Sequence, residues 1–283
     1  MARVINEIVD GIAFGEAPRW HDDALYIADI HADRVLRLGQ QGGYDVVASF
    51  SGPVSGVGWL PDGRMLVVSM VDRRVLRIEP DGSVVVHADL SEIATWHAND
   101  MIVLRDGSAF VGNFGFCLYP PSMPRTAALA RVSPSGDATI AAEGLWFPNG
   151  MVITPDESTL IVAESGTRQL TAFDLNSNGG LSGRRLWAAL PDGALPDGIC
   201  LDAEGAIWVA SPPSREVLRV RQDGEVVERI ALEQQAFACM LGGIDRTTLF
   251  VTTADDDNPD ARRAARTAKV LAIRVDVPGA GLP

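Results

Sequence analysis

The stretch Leu195-Pro196-Asp197-Gly198-Ile199-Cys200-Leu201-Asp202 places an acidic side chain in a tight Pro/Gly turn that runs directly into an apolar strand. Three other stretches have the same form, at residues 15–20, 97–103 and 147–153. Each of the four puts one oxygen-bearing side chain at the start of a strand-like run: Glu16, Asn99, Asn149 and Asp197. Their recurrence indicates a repeated structural unit.

A unit of turn, apolar strand, polar turn and second strand occurs six times, and equivalent residues of successive copies are 41, 43, 51, 47 and 42 residues apart. The first strands are predicted at 24–28, 65–69, 109–112, 159–163, 206–210 and 248–252, and the second strands at 34–38, 74–78, 128–132, 169–173, 216–220 and 269–273. A period of about 40–50 residues with this content is typical of four-stranded propeller blades. We therefore predict an all-β fold, a six-bladed β-propeller that forms a single domain over residues 1–283.

A pair of β-sandwiches is the alternative all-β array, but no linker or change of composition divides the chain. Two irregular segments interrupt the repeat, at residues 114–126 and 254–260. The first of them accounts for the longest step between copies. Loops of this length in a compact array often act as lids or binding loops.

The formal net charge of −13 argues against nucleic acid or an anionic membrane as a partner, because both require a basic surface. No apolar run reaches the roughly 18–20 residues that cross a bilayer. The first residues become charged early and contain no signal-peptide core, and the three cysteines show no paired spacing. These features favour a cytoplasmic protein in a reducing compartment.

The four oxygen-bearing residues lie nine to eleven positions before an equivalent residue in the first predicted strand of their blade, which is Leu25, Ala109, Leu160 or Ile207. The repeat therefore makes the four positions structurally equivalent. In a propeller, residues at this position point toward the same place on the central axis. Two carboxylates and two amide carbonyls are hard ligands that suit Ca²⁺, Mg²⁺ or Mn²⁺ and, less typically, Zn²⁺ or Fe²⁺. The same count in the second and sixth blades ends near Gly56 and Cys239, which offer no hard oxygen. The alternative interpretation is that each Asn-Gly or Asp-Gly only forms a turn.

The chain resembles the gluconolactonase/regucalcin family of six-bladed propellers, which are lactonases. The resemblance covers nearly the whole chain and is carried by Gly15-Glu16-Ala17-Pro18-Arg19-Trp20, Asn99-Asp100, Pro148-Asn149-Gly150-Met151 and Pro196-Asp197-Gly198. It implies that Glu16, Asn99, Asn149 and Asp197 bind one divalent cation, most simply Ca²⁺, and that Asp197 is also the general base. It further implies a small lactone as the substrate.

One position departs from the family pattern. Members that act on sugar lactones commonly carry an Arg two residues before the first Asn, and here that residue is His97. A shorter imidazole, neutral at pH 7, predicts a less polyhydroxylated or differently substituted lactone. We expect His97, Asn113, Phe114 and Trp146 to contact the substrate, although His97 could instead hydrogen-bond the blade turn or assist proton transfer.

Two other functions are consistent with the sequence. One is a non-catalytic propeller that binds calcium or another ligand, since a fold does not define a function. The other is a propeller enzyme of the strictosidine-synthase or arylesterase type. Four protein ligands leave a cation open to water and substrate, which favours an enzyme, and no Gly-x-Ser-x-Gly motif indicates a serine hydrolase.

Overall fold

The structure is a computed structural model that describes residues 3–39 and 43–282. In these ranges, twenty-four strands form six antiparallel sheets of four strands each. The sheets are the blades of a ring, which confirms the predicted six-bladed β-propeller. A short α-helix, α1 (Pro259–Ala265), and a 3₁₀ turn at Ile30–Ala32 lie in the loops.

The strands are named in chain order. The N-terminal strand and the first two blades are β1 (Ile5–Ile12), β2 (Gly15–His21), β3 (Ala24–Asp29), β4 (Arg34–Leu38), β5 (Tyr44–Ser49), β6 (Val54–Trp59), β7 (Met65–Ser69), β8 (Arg74–Ile78) and β9 (Val84–Asp89). The third and fourth blades are β10 (Ala98–Val103), β11 (Ala109–Asn113), β12 (Ala127–Val132), β13 (Ala138–Leu145), β14 (Pro148–Ile153), β15 (Thr159–Glu164), β16 (Gln169–Leu175) and β17 (Leu181–Ala189). The last two blades are β18 (Ile199–Leu201), β19 (Ile207–Ser211), β20 (Glu216–Val220), β21 (Val226–Ala231), β22 (Gln235–Gly242), β23 (Thr248–Ala254) and β24 (Ala268–Arg274).

The first strand of each blade lies next to the channel. These inner strands are buried on both faces, and every residue of β10 and β14 is buried. Strands covered on both faces have nearly continuous apolar sequences, whereas the outer strands β5 and β9 are mostly exposed. The core therefore lies between neighbouring blades, and the inner strands hold the axial positions in place.

The turn between the first two strands follows the Asp-Gly pattern in the second and third blades. At Asp62-Gly63, the glycine has a positive φ of 85°, and the aspartate carboxylate accepts a hydrogen bond of 3.1 Å from the backbone N–H of Arg64. Asp-Gly favours such turns because glycine adopts positive φ without strain and the aspartate side chain satisfies a backbone donor.

The ring is closed by the N-terminal strand, which the repeat does not predict. β1 pairs antiparallel with β24, from Ile5 opposite Ile273 to Ile12 opposite Ala268. The sixth blade therefore combines three C-terminal strands with one from the start of the chain. Pairing the two ends of the sequence holds the first and sixth blades together.

Both irregular segments predicted from the sequence lie at the same mouth of the channel. Tyr119, in the segment 114–126, donates a hydrogen bond of 2.5 Å from its hydroxyl to Asp257 of the segment 254–260. Asn258 begins α1, and its side chain accepts a hydrogen bond from the backbone N–H of Ala261.

No helix in the part of the chain that the structure describes is long and apolar enough to span a bilayer.

Candidate active site

A cavity of about 380 Å³ opens at the mouth of the channel where the inner strands begin. All four predicted oxygen-bearing side chains line it: Glu16, Asn99, Asn149 and Asp197. They come from four different blades, and we call them the axial cluster. Turn residues without a shared function would not be expected to meet in one cavity.

In three of the four blades, the regular strand pairing is interrupted at the axial side chain. In β10 the regular register is interrupted after Ala98, and in β14 it is interrupted after Pro148, so the two asparagines lie in the irregular segment. In β2 the interruption follows Glu16. Such bulges commonly redirect a side chain near a functional site, and here they occur at the same level in several blades.

The second and sixth blades place different residues at this level than the sequence count suggested. The residue equivalent to Asn99 is Ser55 in β6 and Phe237 in β22, not Gly56 or Cys239. The hydroxyl of Ser55 donates a hydrogen bond of 3.4 Å to the side-chain oxygen of Asn99. The second blade therefore does supply an oxygen, but it contacts a neighbouring member of the axial cluster.

Asp197 and Asn149 are joined directly. The amide nitrogen of Asn149 donates a hydrogen bond of 2.5 Å to Oδ1 of Asp197 and another of 3.1 Å to the hydroxyl of Ser165. Ser165 in turn donates to the backbone carbonyl of Pro196, at 2.7 Å. This short network connects the fourth and fifth blades and sets the orientation of the Asp197 carboxylate.

Burial and mutual repulsion raise the pKa of both axial carboxylates above the usual carboxyl range. For Glu16 burial is the main cause, and the backbone N–H of Ala17, 2.9 Å away, partly offsets it. For Asp197 burial is followed by the negative charges of Glu16, Asp100 and Asp257. Two carboxyl groups that disfavour each other's ionisation form a site where a cation is strongly stabilising.

The donor set fits a hard divalent cation. It consists of two carboxylates and two amide side chains, which are oxygen donors of the kind that Ca²⁺ and Mg²⁺ prefer. Within residues 3–39 and 43–282, no group of three or more His, Cys, Asp or Glu side chains is positioned to hold a metal ion. A cation on the axis would therefore depend on the asparagine oxygens as much as on the carboxylates.

A buried ion pair lies next to the axial cluster. Arg19 and Asp100 are only 4% and 6% exposed, and their side chains form a salt bridge of 2.7 Å. The same guanidinium group donates to the backbone carbonyl of Met101, at 2.6 Å. Because both residues are close neighbours of axial-cluster residues in their strands, the pair connects β2 to β10.

Of the four residues expected to contact substrate, His97 and Phe114 line the cavity. The ring of His97 stacks on Trp96, with 5.1 Å between centroids and 19° between planes, and lies 5.9 Å from the ring of Phe114. Burial and the positive charge of Arg73 lower the pKa of His97. The imidazole at this position is therefore a neutral, partly covered ring.

Asn113 and Trp146 are absent from the described residues that line the cavity. The amide of Asn113 is used locally, because it donates to the carbonyl of Ala128 at 2.7 Å and accepts from the N–H of Gly115 at 3.1 Å. Trp146 is 37% exposed, and its backbone N–H donates to the carboxylate of Glu164 at 2.7 Å.

The role of Asn113 becomes clear by comparison with other blades. Asn113, Asp29 and Glu164 all end the second strand of their blade. The carboxylate of Asp29 accepts hydrogen bonds from the backbone N–H groups of Ala13 and Phe14, at 3.0 and 2.9 Å. Polar residues at this position tie down the loops around the cavity, which explains why Asn113 does not reach into it.

Several cavity residues were not identified from the sequence. They lie in the loops that cover the mouth or directly before the inner strands, and those used below are Phe14, His31, Tyr119, Phe237, Asp257 and Arg263. The irregular length of the two loops was the available signal. The contact between Tyr119 and Asp257 joins residues 138 positions apart, which no local pattern reveals.

The fold and the axial cluster together define a six-bladed propeller with an oxygen-rich site at the mouth of its channel. Residues 14–255 match the sequence profile described as the SMP-30/Gluconolactonase/LRE-like region. The chain belongs to this family, which confirms the resemblance inferred from the motifs.

Three relatives illustrate the similarity. The pentonolactonase XacC of Haloferax volcanii is 28% identical over 99% of this chain and 96% of its own. The 6-deoxy-6-sulfogluconolactonase of Pseudomonas putida is 26% identical over 95% of this chain and 94% of its own. A solved gluconolactonase structure from Xanthomonas campestris superposes with a TM-score of 0.77 and 26% identity, covering 98% of this chain and 92% of that one.

Proposed function

We propose that the protein hydrolyses a small lactone to its hydroxy acid with the help of one divalent cation bound by Glu16, Asn99, Asn149 and Asp197. The observation that carries this proposal is the convergence of these four oxygen-bearing side chains on one cavity at the mouth of the channel. The names of the relatives support the reaction class, since those cited above are lactonases.

The axial cluster supplies the binding site for the cation, and Ca²⁺ fits its oxygen-only donors best. When bound, the cation supplies Lewis acidity that stabilises the negative charge developing on the lactone carbonyl oxygen. The two carboxylates also become ionised more easily beside a positive charge, which offsets the burial that raises the pKa of Glu16 and Asp197.

Asp197 is the proposed general base. Its carboxylate accepts a proton from a water molecule as the water oxygen bonds to the carbonyl carbon of the lactone. When the bond between that carbon and the ring oxygen breaks, the same proton passes to the ring oxygen, and a hydroxy acid remains. Burial raises the pKa of the Asp197 carboxyl, which makes its ionised form a stronger proton acceptor.

Asn149 is the proposed positioning residue for this base. Its amide nitrogen holds one oxygen of Asp197 and is itself anchored on Ser165. The hydrogen bond favours the ionised carboxylate, so it opposes the effect of burial on the pKa. His97 and Phe114, which line the same cavity, are placed to contact the substrate ring.

The test is to measure hydrolysis of a panel of γ- and δ-lactones by the calcium-loaded protein, with and without a chelator. We expect hydrolysis that the chelator abolishes and that Asp197→Asn lowers about 10²–10⁴-fold in kcat, the usual range for loss of a general base. Asp192→Asn serves as the control, because Asp192 is 97% exposed and lies outside the cavity.

The same experiment also distinguishes a lactonase from a non-catalytic propeller. If no lactone is opened by the calcium-loaded protein, and Asp197→Asn changes only the thermal stability, the chain is a cation-binding propeller without this activity. Full activity of Asp197→Asn would remove the general-base role while leaving hydrolysis intact.

A further inference from the structure

The side walls of the cavity are aromatic. Phe14 and Phe237 pack edge to face with 4.6 Å between ring centroids, and they belong to the first and sixth blades. Phe114 and Phe147 pack with 4.4 Å between centroids, and they belong to the third and fourth blades. In a ring of six blades these two junctions lie opposite each other. The two pairs therefore face each other across the cavity, and we call the space between them the aromatic slot.

Most hydrogen-bonding groups of the walls already have partners. The hydroxyl of Ser165 donates to Pro196 and accepts from Asn149, and the hydroxyl of Tyr119 donates to Asp257. One face of the His97 ring is covered by Trp96. The exceptions lie beside Phe14, where Nε2 of His31 is buried without a partner among the described residues and the exposed Arg263 donates to the carbonyl of His31. The oxygens of the axial cluster are reserved for the cation in the proposed function.

This arrangement selects against a substrate with many hydroxyl groups. Each hydroxyl that leaves water without a partner weakens binding, and a sugar lactone carries several of them. An alkyl or aryl substituent gains from the same walls, because burying apolar surface is favourable. A cavity of about 380 Å³ is large enough for a small ligand of this kind.

We propose, resting on the lactonase function above, that the substrate is a lactone with an apolar substituent held in the aromatic slot and not a polyhydroxylated sugar lactone. The lactone ring lies at the axial cluster, and the substituent extends between the two phenylalanine pairs. In this respect the chain differs from the relatives whose names refer to sugar lactones.

The experiment compares kcat/KM of the calcium-loaded full chain for γ-butyrolactone, γ-valerolactone, γ-hexalactone, γ-heptalactone and D-ribono-γ-lactone. We expect kcat/KM to rise about three- to fourfold for each added methylene, and γ-heptalactone to exceed the sugar lactone. Phe114→Ala is expected to flatten this dependence on chain length. Met123→Ala is the matched control, because Met123 lies in the same loop, is 89% exposed and is absent from the cavity lining.

A binding measurement separates failure of this inference from failure of the lactonase function. Calorimetric titration uses the lactam analogues of γ-butyrolactone and γ-heptalactone, which have an N–H in place of the ring oxygen. Tighter binding of the longer lactam supports the slot even if no lactone is hydrolysed. If D-ribono-γ-lactone is the better substrate and chain length has no effect, the inference is overturned while the lactonase function stands. Equal or absent binding of both lactams also overturns it.

Discussion

At the scale of single residues, the site depends on charges that are buried and held by few partners. Asp197 is fixed by the amide of Asn149, and Asp100 is fixed by the guanidinium of Arg19. The negative charge of Asp100 raises the pKa of Glu16, and the positive charge of Arg19 lowers it. The positive charge of Arg19 therefore offsets part of the repulsion that Asp100 exerts on the carboxylate of Glu16.

Replacing Arg19 is the clearest test of that ion pair. Arg19→Met removes one partner of a buried salt bridge and leaves the carboxylate of Asp100 without its counter-charge. Such a change costs about 3–5 kcal/mol of unfolding free energy, which urea denaturation measures. Adding Asp100→Asn to Arg19→Met should restore part of the loss, because the uncompensated charge disappears.

The double variant provides the control for a simple packing effect. If Arg19→Met unfolds with the same free energy as the unaltered protein, the ion pair has no structural role. If Asp100→Asn gives no recovery, the loss comes from packing of the arginine side chain and not from the stranded charge.

The sequence indicated four residues that line the same cavity, because each lies at a recognisable turn before an apolar strand. Their role as cation ligands stays a prediction. The sequence did not identify Ser55, since no Asn-Gly or Asp-Gly turn marks the start of β6. It also assigned Asn113 and Trp146 to the cavity, which they do not line. No local sequence pattern shows whether a polar side chain near a site is already hydrogen-bonded to the protein backbone.

At the scale of elements, the inner strands approach each other closely enough to require glycine. A Cβ atom on Gly150 of β14 would lie 2.6 Å from the backbone oxygen of Asp197 and 2.7 Å from the nitrogen of Ile199. Real Cβ atoms do not approach backbone this closely, so a larger residue would push β18 away. The glycine that follows Asn149 therefore brings Asp197 within reach of that asparagine.

Gly150→Ala tests this close approach. We expect a loss of about 1–3 kcal/mol of unfolding free energy from overpacking, together with weaker cation binding because Asp197 moves from the axis. Both quantities can be measured on one preparation, by urea denaturation and by calorimetric titration with Ca²⁺.

Gly52→Ala is the matched control. A Cβ atom at Gly52 would have no neighbour within 4 Å, so this variant should leave both stability and cation affinity nearly unchanged. Equal behaviour of the two alanine variants would show that the contact between β14 and β18 does not position Asp197.

The strands themselves were largely predictable. All twelve predicted strands are present, for example 34–38 as β4 and 216–220 as β20, because a repeated pattern corrects local errors. β1 was not predicted, since it stands outside the six copies and pairs with a strand at the far end of the sequence.

At the scale of the whole molecule, the ring of blades brings equivalent positions of the sequence repeat together at one cavity. Four blades each contribute one oxygen-bearing side chain, and the other two contribute Ser55 and Phe237 at the same level. The net charge of −13 adds a negative field around the molecule that raises the local concentration of cations. Two long loops and one helix cover the same mouth, so binding and access are arranged at one end of the channel.

We expect the axial cluster to bind one divalent cation on which lactone hydrolysis depends. Calorimetric titration of the metal-stripped protein with Ca²⁺ tests it most directly, alongside Asp197→Ala and Asp192→Ala as the axial and exposed variants. We expect one cation per chain for the unaltered protein and for Asp192→Ala, and loss of that binding in Asp197→Ala. Absence of binding in the unaltered protein, or the same binding in Asp197→Ala, would contradict it.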